Sequence, residues 1–234
     1  MGGCAVRGHA GPRVNLHAGD ADPATVVRLV RDNRIDLLAL QEYTPQAQAD
    51  LRQAGLDALL PYQVGDSEPL AVGSALYARV PLTGGTTPVA PGGFVEASAT
   101  LQLPGAAPVA VRSVHTCALY TSDHQQCWRQ GLDRQPRTTP DGPHRLLLGD
   151  FNATLDHPPL RRLIDGGYRD AADAVGSGLQ PTWPTDRLPV PVITLDHILA
   201  DTRIGVRAVS AHPVLRTDHR ALTATLTLPH TASS

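Results

Sequence analysis

The run "RLLLGDFNATLDH", residues 145–157, constrains the fold of this chain more tightly than any other stretch. Three consecutive leucines read as a buried strand, which ends at Gly149. Asp150 and Asn152 follow at once, separated only by Phe151. The same event recurs along the sequence. Glu42 follows "LLALQ", His115 follows "VRSV", Asp218 and His219 precede "RALTATLTL", and Asn15 lies ahead of the first helical pattern. Asp196 sits inside "ITLDHIL", where alternation turns Leu195 and His197 to the opposite face. A turn, a cap or a solvated edge explains any one of these residues alone. A carboxylate among apolar neighbours, as at Asp196, needs a partner. So many strands finishing in groups that hold metals or move protons point to shared chemistry.

Between these points the chain alternates helix and strand. Asp22 is placed to cap a helix that begins at Pro23, with Val26, Val27, Leu29 and Val30 as its apolar stripe. "IDLLAL" is a short buried strand and "AQADLRQAGLDALL" one amphipathic helix. "SALYARV" and "EASATLQLP" are strands flanking a Gly/Pro-rich turn region, and "APVAVRSVHT" is a strand running into His115. Residues 117–143 form a polar connection with helical potential around Trp128, and "PPLRRLIDGG" is a helix started by prolines and stopped by glycines. "PVITLDHILA", "IGVRAVSAHPV" and "ALTATLTLP" close the chain as strands. Strands dominate late and nothing repeats, which favours α/β layers over a dinucleotide-binding fold. The glycine-rich dinucleotide fingerprint, the P-loop, the nucleophile elbow and the H-E-x-x-H zinc motif are all missing from the sequence.

At 234 residues the chain has room for one α/β domain, expected over residues 14–229. Residues 1–13 are expected to be poorly ordered or a truncated first strand, and 230–234 a tail. No lysine occurs, the arginines are scattered, the formal charge is −2 and aromatics make up 4%. A duplex nucleic-acid groove usually carries a basic face, so nucleic acid is a disfavoured partner. No apolar run is long enough to span a bilayer, and the N-terminus has no apolar signal core. Gly2 invites a myristoylation reading, but Val6 stands where Ser or Thr is needed, and Cys4 lacks a lipoprotein lead-in. A monomer is expected.

"NLHAGDAD…DLLALQE", "VH", "GDFNA", "LDHIL" and "TDHRAL", in that order from Asn15 to Leu228, resemble the endonuclease/exonuclease/phosphatase family, the DNase I-like superfamily of magnesium-dependent phosphoesterases. The resemblance implies a four-layer α/β/β/α sandwich, two mixed sheets face to face with helices outside, and a site at one edge between the sheets. It implies Mg²⁺, or Mn²⁺, held by Glu42 with Asn15 beside it and Asp218 contributing. It further implies that Asp150 orients or deprotonates water and that Asn152 fixes that water or a phosphate oxygen. His219 pairs with Asp196, and His115 donates to a phosphate oxygen or assists the leaving group. Such residue types suit phosphoryl chemistry, which is mostly positioning and charge neutralisation around an oxygen-ligated cation.

Two features depart from that pattern. "GHAGPRV" places Gly11 and Pro12 where a strand should lead into Asn15, so the first strand is expected to be short or altered, which leaves open whether the metal site is weakened. Cys117 and Cys127 flank "ALYTSDHQQ" and are read as a small disulfide loop, as two free thiols, or, with His115 and His124, as a zinc cluster. A disulfide implies an extracytoplasmic setting. Trp183 in "QPTWP" belongs either to the site rim or to the core. The leading expectation is a phosphoesterase acting on a small or lipid-linked phosphate, with a membrane involved only through such a substrate. A nuclease of the same family is the alternative, and a binding module that has kept the fold without catalysis is the rival from another class.

Overall fold

Strands buried on both faces organise the molecule. The computed structural model describes residues 7, 8, 10–186 and 191–230. The readings made on Gly2, Cys4 and Val6 and on the tail beyond His230 lie outside the described residues. In β3 (Leu37–Gln41), Leu37 and Ala39 pack between two sheets while Leu38 and Leu40 pack outward. In β9 (His144–Asp150), Leu146 and Leu148 face inward and Leu147 outward. A near-continuous apolar run is what a strand covered on both faces requires.

The first sheet runs β1 (Arg7–Gly8), β13 (Arg220–Thr227), β2 (Ala10–Asn15), β3, β5 (Ser74–Ala78), β4 (Tyr62–Asp66), with β12 (Gly205–Pro213) also on β13. The second runs β10 (Tyr168–Asp170), β11 (Asp196–Asp201), β9, β8 (Val109–His115), β7 (Ser98–Leu101), β6 (Leu82–Thr86). Each is mixed: β2 pairs parallel with β3, and β8 parallel with β9, among antiparallel neighbours. The outer face of the first sheet packs on α1 (Pro23–Asp32), α2 (Pro45–Gln53) and α3 (Leu56–Leu59). That of the second packs on α4 (Ser122–Asp133) and α5 (Pro158–Asp165), and α6 (Ala171–Ala174) closes the sandwich beside β12. The α/β/β/α sandwich expected from the sequence is the one that forms.

Local departures have local causes. The expected second helix breaks into α2 and α3 because Gly55 takes φ +94°, a left-handed conformation that ends a helix. β9 does not stop at Gly149 but carries one residue further, through Asp150. Gly149 is required there, since a Cβ would strike the Val114 carbonyl of β8. β11 starts at Asp196, so that residue opens the strand and does not lie inside it. β2 forms in spite of Gly11 and Pro12, because the register with β3 shifts between Ala10 and Arg13 and resumes at Val14 and Asn15. A proline fits a strand at such an irregularity, where no ladder N–H is needed.

Candidate active site

Strand register brings the polar strand ends together. His115 of β8 stands opposite Asp150 of β9, and Asp150 stands opposite Asp196 of β11. Directly opposed residues share a face, so the three form a row across the end of the second sheet. The parallel β2–β3 pair does the same for the first sheet, setting Asn15 against Gln41 with Glu42 next along. Below the row, Gln41 donates to the Ser113 hydroxyl at 2.7 Å, and Ser113 donates to the Leu40 carbonyl at 3.1 Å, which ties the sheets together.

A continuous chain of contacts then crosses from one sheet to the other. The Asn15 amide donates to Glu42 Oε1 at 2.9 Å and to Asp150 Oδ2 at 3.1 Å. His219 puts Nδ1 2.9 Å from Asp196 Oδ2 and Nε2 3.5 Å from Asp150 Oδ2. Asn15, Asp150, Asp196 and His219 are all buried. Both Asp196 oxygens lie within hydrogen-bond reach of His219 Nδ1, and a carboxylate there accepts the Nδ1–H. His115 lies 3.9 Å from Glu42 Oε1 through Nε2, with the Phe94 ring 4.4 Å from its own.

Backbone conformation aims several of these side chains. Glu42 (φ +56°) and Asn152 (φ +45°) are left-handed, as are His17 and Ala18 (φ +51° and +52°). Non-glycine residues hold that region only where surrounding bonds impose it, and such residues cluster at functional sites. Here the bonds are present. The Ala18 N–H donates to Glu42 Oε2 at 2.6 Å, and the Asn152 N–H donates to Asp150 Oδ1 at 2.9 Å. The Asn152 side chain donates to the Thr116 carbonyl at 2.9 Å.

Asp218 faces the same cavity, with both oxygens engaged: Oδ1 lies 2.9 Å from His17 Nδ1 and Oδ2 accepts from the Trp183 indole at 3.0 Å. Trp183 is therefore a rim residue that holds a site carboxylate. Sequence reasoning passed over His17, although it sits two residues beyond Asn15 and its N–H donates to Asn15 Oδ1 at 2.9 Å. It also missed Thr217, which donates to the Asn15 carbonyl and accepts from the His219 N–H. Glu96 was missed as well. Burial pushes its carboxyl from 4.5 up to about 7, against the opposing pull of Arg112 and Gln135, and it accepts from the His115 backbone N–H.

Two donor sets here could hold a cation. Asp150, Asp196 and His219 offer ligand atoms within 4.8 Å of one another. Their His219–Asp196 hydrogen bond already occupies Nδ1, so the trio fits an oriented imidazole better than a ligand cage. Glu42 and Asp150 instead offer carboxylate oxygens, the ligand type that Mg²⁺ or Mn²⁺ prefers, joined through the Asn15 amide nitrogen while Asn15 Oδ1 accepts from the His17 N–H.

His115 and Asp150 of the row, with Glu42, Asn152, Asp218 and His219, line a cavity of about 720 Å³. Its lining also includes the apolar or aromatic side chains of Ala71, Phe94, Leu119, Tyr120, Ile193 and Leu195. Among the described residues, no arginine lines it. Cys117 and Cys127 form a disulfide in another part of the lining and tie the end of β8 to α4. That pairing removes the thiolates a zinc cluster with His115 and His124 would need. Gly92 lies so close to both sulfurs that no side chain fits there.

Comparison with known proteins agrees with the geometry. No curated protein matches the sequence. Among solved structures, an endonuclease/exonuclease/phosphatase from Beutenbergia cavernae DSM 12333 aligns with TM-score 0.68 at 18% identity, covering 93% of this chain and 71% of that one. TDP2 from Caenorhabditis elegans aligns with TM-score 0.73 at 16% identity, over 95% of this chain and 74% of that one. SmcL aligns with TM-score 0.67 at 14% identity, over 94% and 98% respectively. These likenesses are of fold. The model of the Endonuclease/Exonuclease/phosphatase family matches residues 12–219, and the chain belongs to that family.

Proposed function

We propose that this protein is a metal-dependent phosphoesterase that hydrolyses a phosphomonoester or phosphodiester by attack of an activated water. One observation carries the reading: the contact chain Asp196–His219–Asp150–Asn15–Glu42 joins the two sheets and presents Glu42, Asp150 and His219 to a single cavity. Glu42 and Asn15, with Asp150 adjacent and Asp218 within the same cavity, would hold Mg²⁺ or Mn²⁺. When bound, the cation neutralises charge on the phosphate and on the departing oxygen.

The chain's own residues do the rest. Asp150 takes the proton of the attacking water, and its Oδ1, fixed by the Asn152 N–H, stays oriented for that task. Asn152 spends one amide hydrogen on Thr116, which leaves its Oδ1 and second hydrogen for the water and a phosphate oxygen. His219, whose Nδ1–H is held by Asp196, donates from Nε2 to the phosphate in its doubly protonated form. His115 donates from the opposite side or protonates the leaving oxygen.

Substrate class follows from the walls. A polyanion needs cationic partners along its length, and besides His115 and His219 the described lining supplies only the imidazoles of His124 and His157. The apolar lining residues, among them the exposed Tyr120 and Leu119, suit one phosphate carrying an apolar arm, such as a lipid-linked phosphate. The disulfide supports folding in an oxidising compartment. No described helix is long and apolar enough to cross a membrane.

The test is a comparison of plasmid DNA, RNA, bis(4-nitrophenyl) phosphate, inositol phosphates and a polyprenyl pyrophosphate, each with Mg²⁺, Mn²⁺ or EDTA. Metal-dependent turnover that is fastest on an apolar-armed phosphate supports the reading. Preferred cleavage of DNA or RNA would replace the substrate class, and silence on every substrate would favour the binding module.

A further inference from the structure

His197 is the neighbour of Asp196, yet it faces away from the cavity and is buried, only 1% exposed. Its ring stands between two acceptors. Nδ1 lies 2.8 Å from Asp170 Oδ2, and Nε2 lies 2.8 Å from the Ala153 carbonyl. A carbonyl oxygen only accepts, so Nε2 carries a hydrogen and donates to Ala153. Asp170 is itself fixed, since its Oδ1 accepts from the Asp173 N–H at 2.8 Å. We propose that His197 is a positioning residue for the turn that carries Asp150 and Asn152, clamping Ala153 from the side of the sheet that faces away from the cavity.

The turn needs such a clamp. Asn152 is left-handed, and its neighbours on both sides are tied down individually. The Phe151 N–H donates to the Leu195 carbonyl at 3.0 Å, and the Phe151 carbonyl accepts from Thr116 Oγ1 at 2.7 Å and the Trp128 indole at 3.0 Å. On the far side of Asn152, His197 holds Ala153, and its ring meets the Phe151 ring edge-on at 5.8 Å. A buried ion pair is weak evidence for stability, because an apolar residue of similar volume often serves as well. Its presence here is accounted for by what it grips. The alternation of β11 thus divides the work: Asp196 orients His219 on the cavity face, and His197 sets the Asp150–Asn152 step from the other. Burial alone would lower the pKa of the ring, but the Asp170 carboxylate and the Ala153 carbonyl outweigh it and hold it above the ordinary histidine value.

The kinetic part of the test rests on the phosphoesterase reading; the exchange part does not. His197→Leu, His197→Gln and, as a core-packing control, Leu163→Ala are compared with wild type. Turnover of bis(4-nitrophenyl) phosphate with Mn²⁺ and amide hydrogen exchange over residues 151–154 are both followed. His197→Leu is expected to lower kcat roughly 10- to 100-fold with KM within about twofold, the signature of a misplaced catalytic group. Exchange at Phe151 and Asn152 should accelerate about tenfold or more beyond the rest of the fold. His197→Gln, which keeps one amide donor, should recover part of both, and Leu163→Ala should reproduce neither. Should His197→Leu fail to fold, the glutamine variant carries the comparison, with intermediate values expected. Unchanged exchange at 151–154, or an increase spread over the fold as in the control, overturns the proposal. A wild type inactive with every metal would end the phosphoesterase reading, while the exchange comparison still decides the role of His197.

Discussion

His219 holds Asp196 at 2.9 Å through Nδ1 and keeps Nε2 3.5 Å from Asp150, so one imidazole joins a fully buried carboxylate to the one proposed to handle water. Asp196→Asn tests that coupling. The amide no longer enforces the Nδ1–H tautomer, and kcat should fall by about 10² to 10⁴ while the metal requirement stays unchanged. Steady-state kinetics at several Mg²⁺ concentrations check both parts.

Metal binding should be visible in stability as well as in rate. Mg²⁺ at about 100 times its dissociation constant should stabilise the wild type by about 2.7 kcal/mol, because it binds the folded state alone. Glu42→Gln should abolish that rise in Tm and Asn15→Ala should reduce it. Thermal melts with Mg²⁺ and with EDTA measure the difference. An equal rise in all three proteins would remove Glu42 and Asn15 from the metal site.

Glu96 should make stability depend on pH. Burial raises its folded pKa from 4.5 to about 7, so the folded state retains a proton that the unfolded chain releases earlier. Its contribution is fully present below about pH 4.5 and is lost as pH rises toward 7. Glu96→Gln keeps an acceptor for Gln135 and removes the titration. Melts across that window should show a fall in Tm for wild type that is shallower in the variant.

The disulfide braces one wall of the cavity. Opening its loop, in which the cysteines are separated by 10 residues, should cost about 2 to 3 kcal/mol. Cys127→Ser should therefore lower Tm and raise KM more than it lowers kcat, since the sulfurs line the cavity but lie outside the reacting row. Melts and kinetics of wild type with and without dithiothreitol provide the same comparison without a mutation.

Most of the fold could be read from the sequence because its central strands carry strong signals. "LLAL" and "RLLL" are buried on both faces, and α1 has both its Asp22 cap and its apolar stripe. β4 and β6 went unread for a physical reason. They are edge strands with no fully buried residue, β4 half-buried and β6 mostly exposed, so neither shows a buried alternation. β10 was missed because three residues are too few to carry a pattern.

At the site, the residues at strand ends were legible because chemistry-bearing groups are unusual there. Their supports were not. His17, Thr217 and the His197–Asp170 pair act through contacts between residues far apart in sequence, which local spacing does not reveal. The bend that lets β2 deliver Asn15 past Gly11 and Pro12 is likewise a property of its register with β3.

The most direct test of the account is the metal-dependent hydrolysis of bis(4-nitrophenyl) phosphate by wild type, Asp150→Ala and His219→Ala, each verified as folded by its melt. The account predicts turnover that requires Mg²⁺ or Mn²⁺, disappears with EDTA and falls by about 10² to 10⁴ in both variants. Turnover left intact by either substitution would contradict the assignment of that residue to the chemistry.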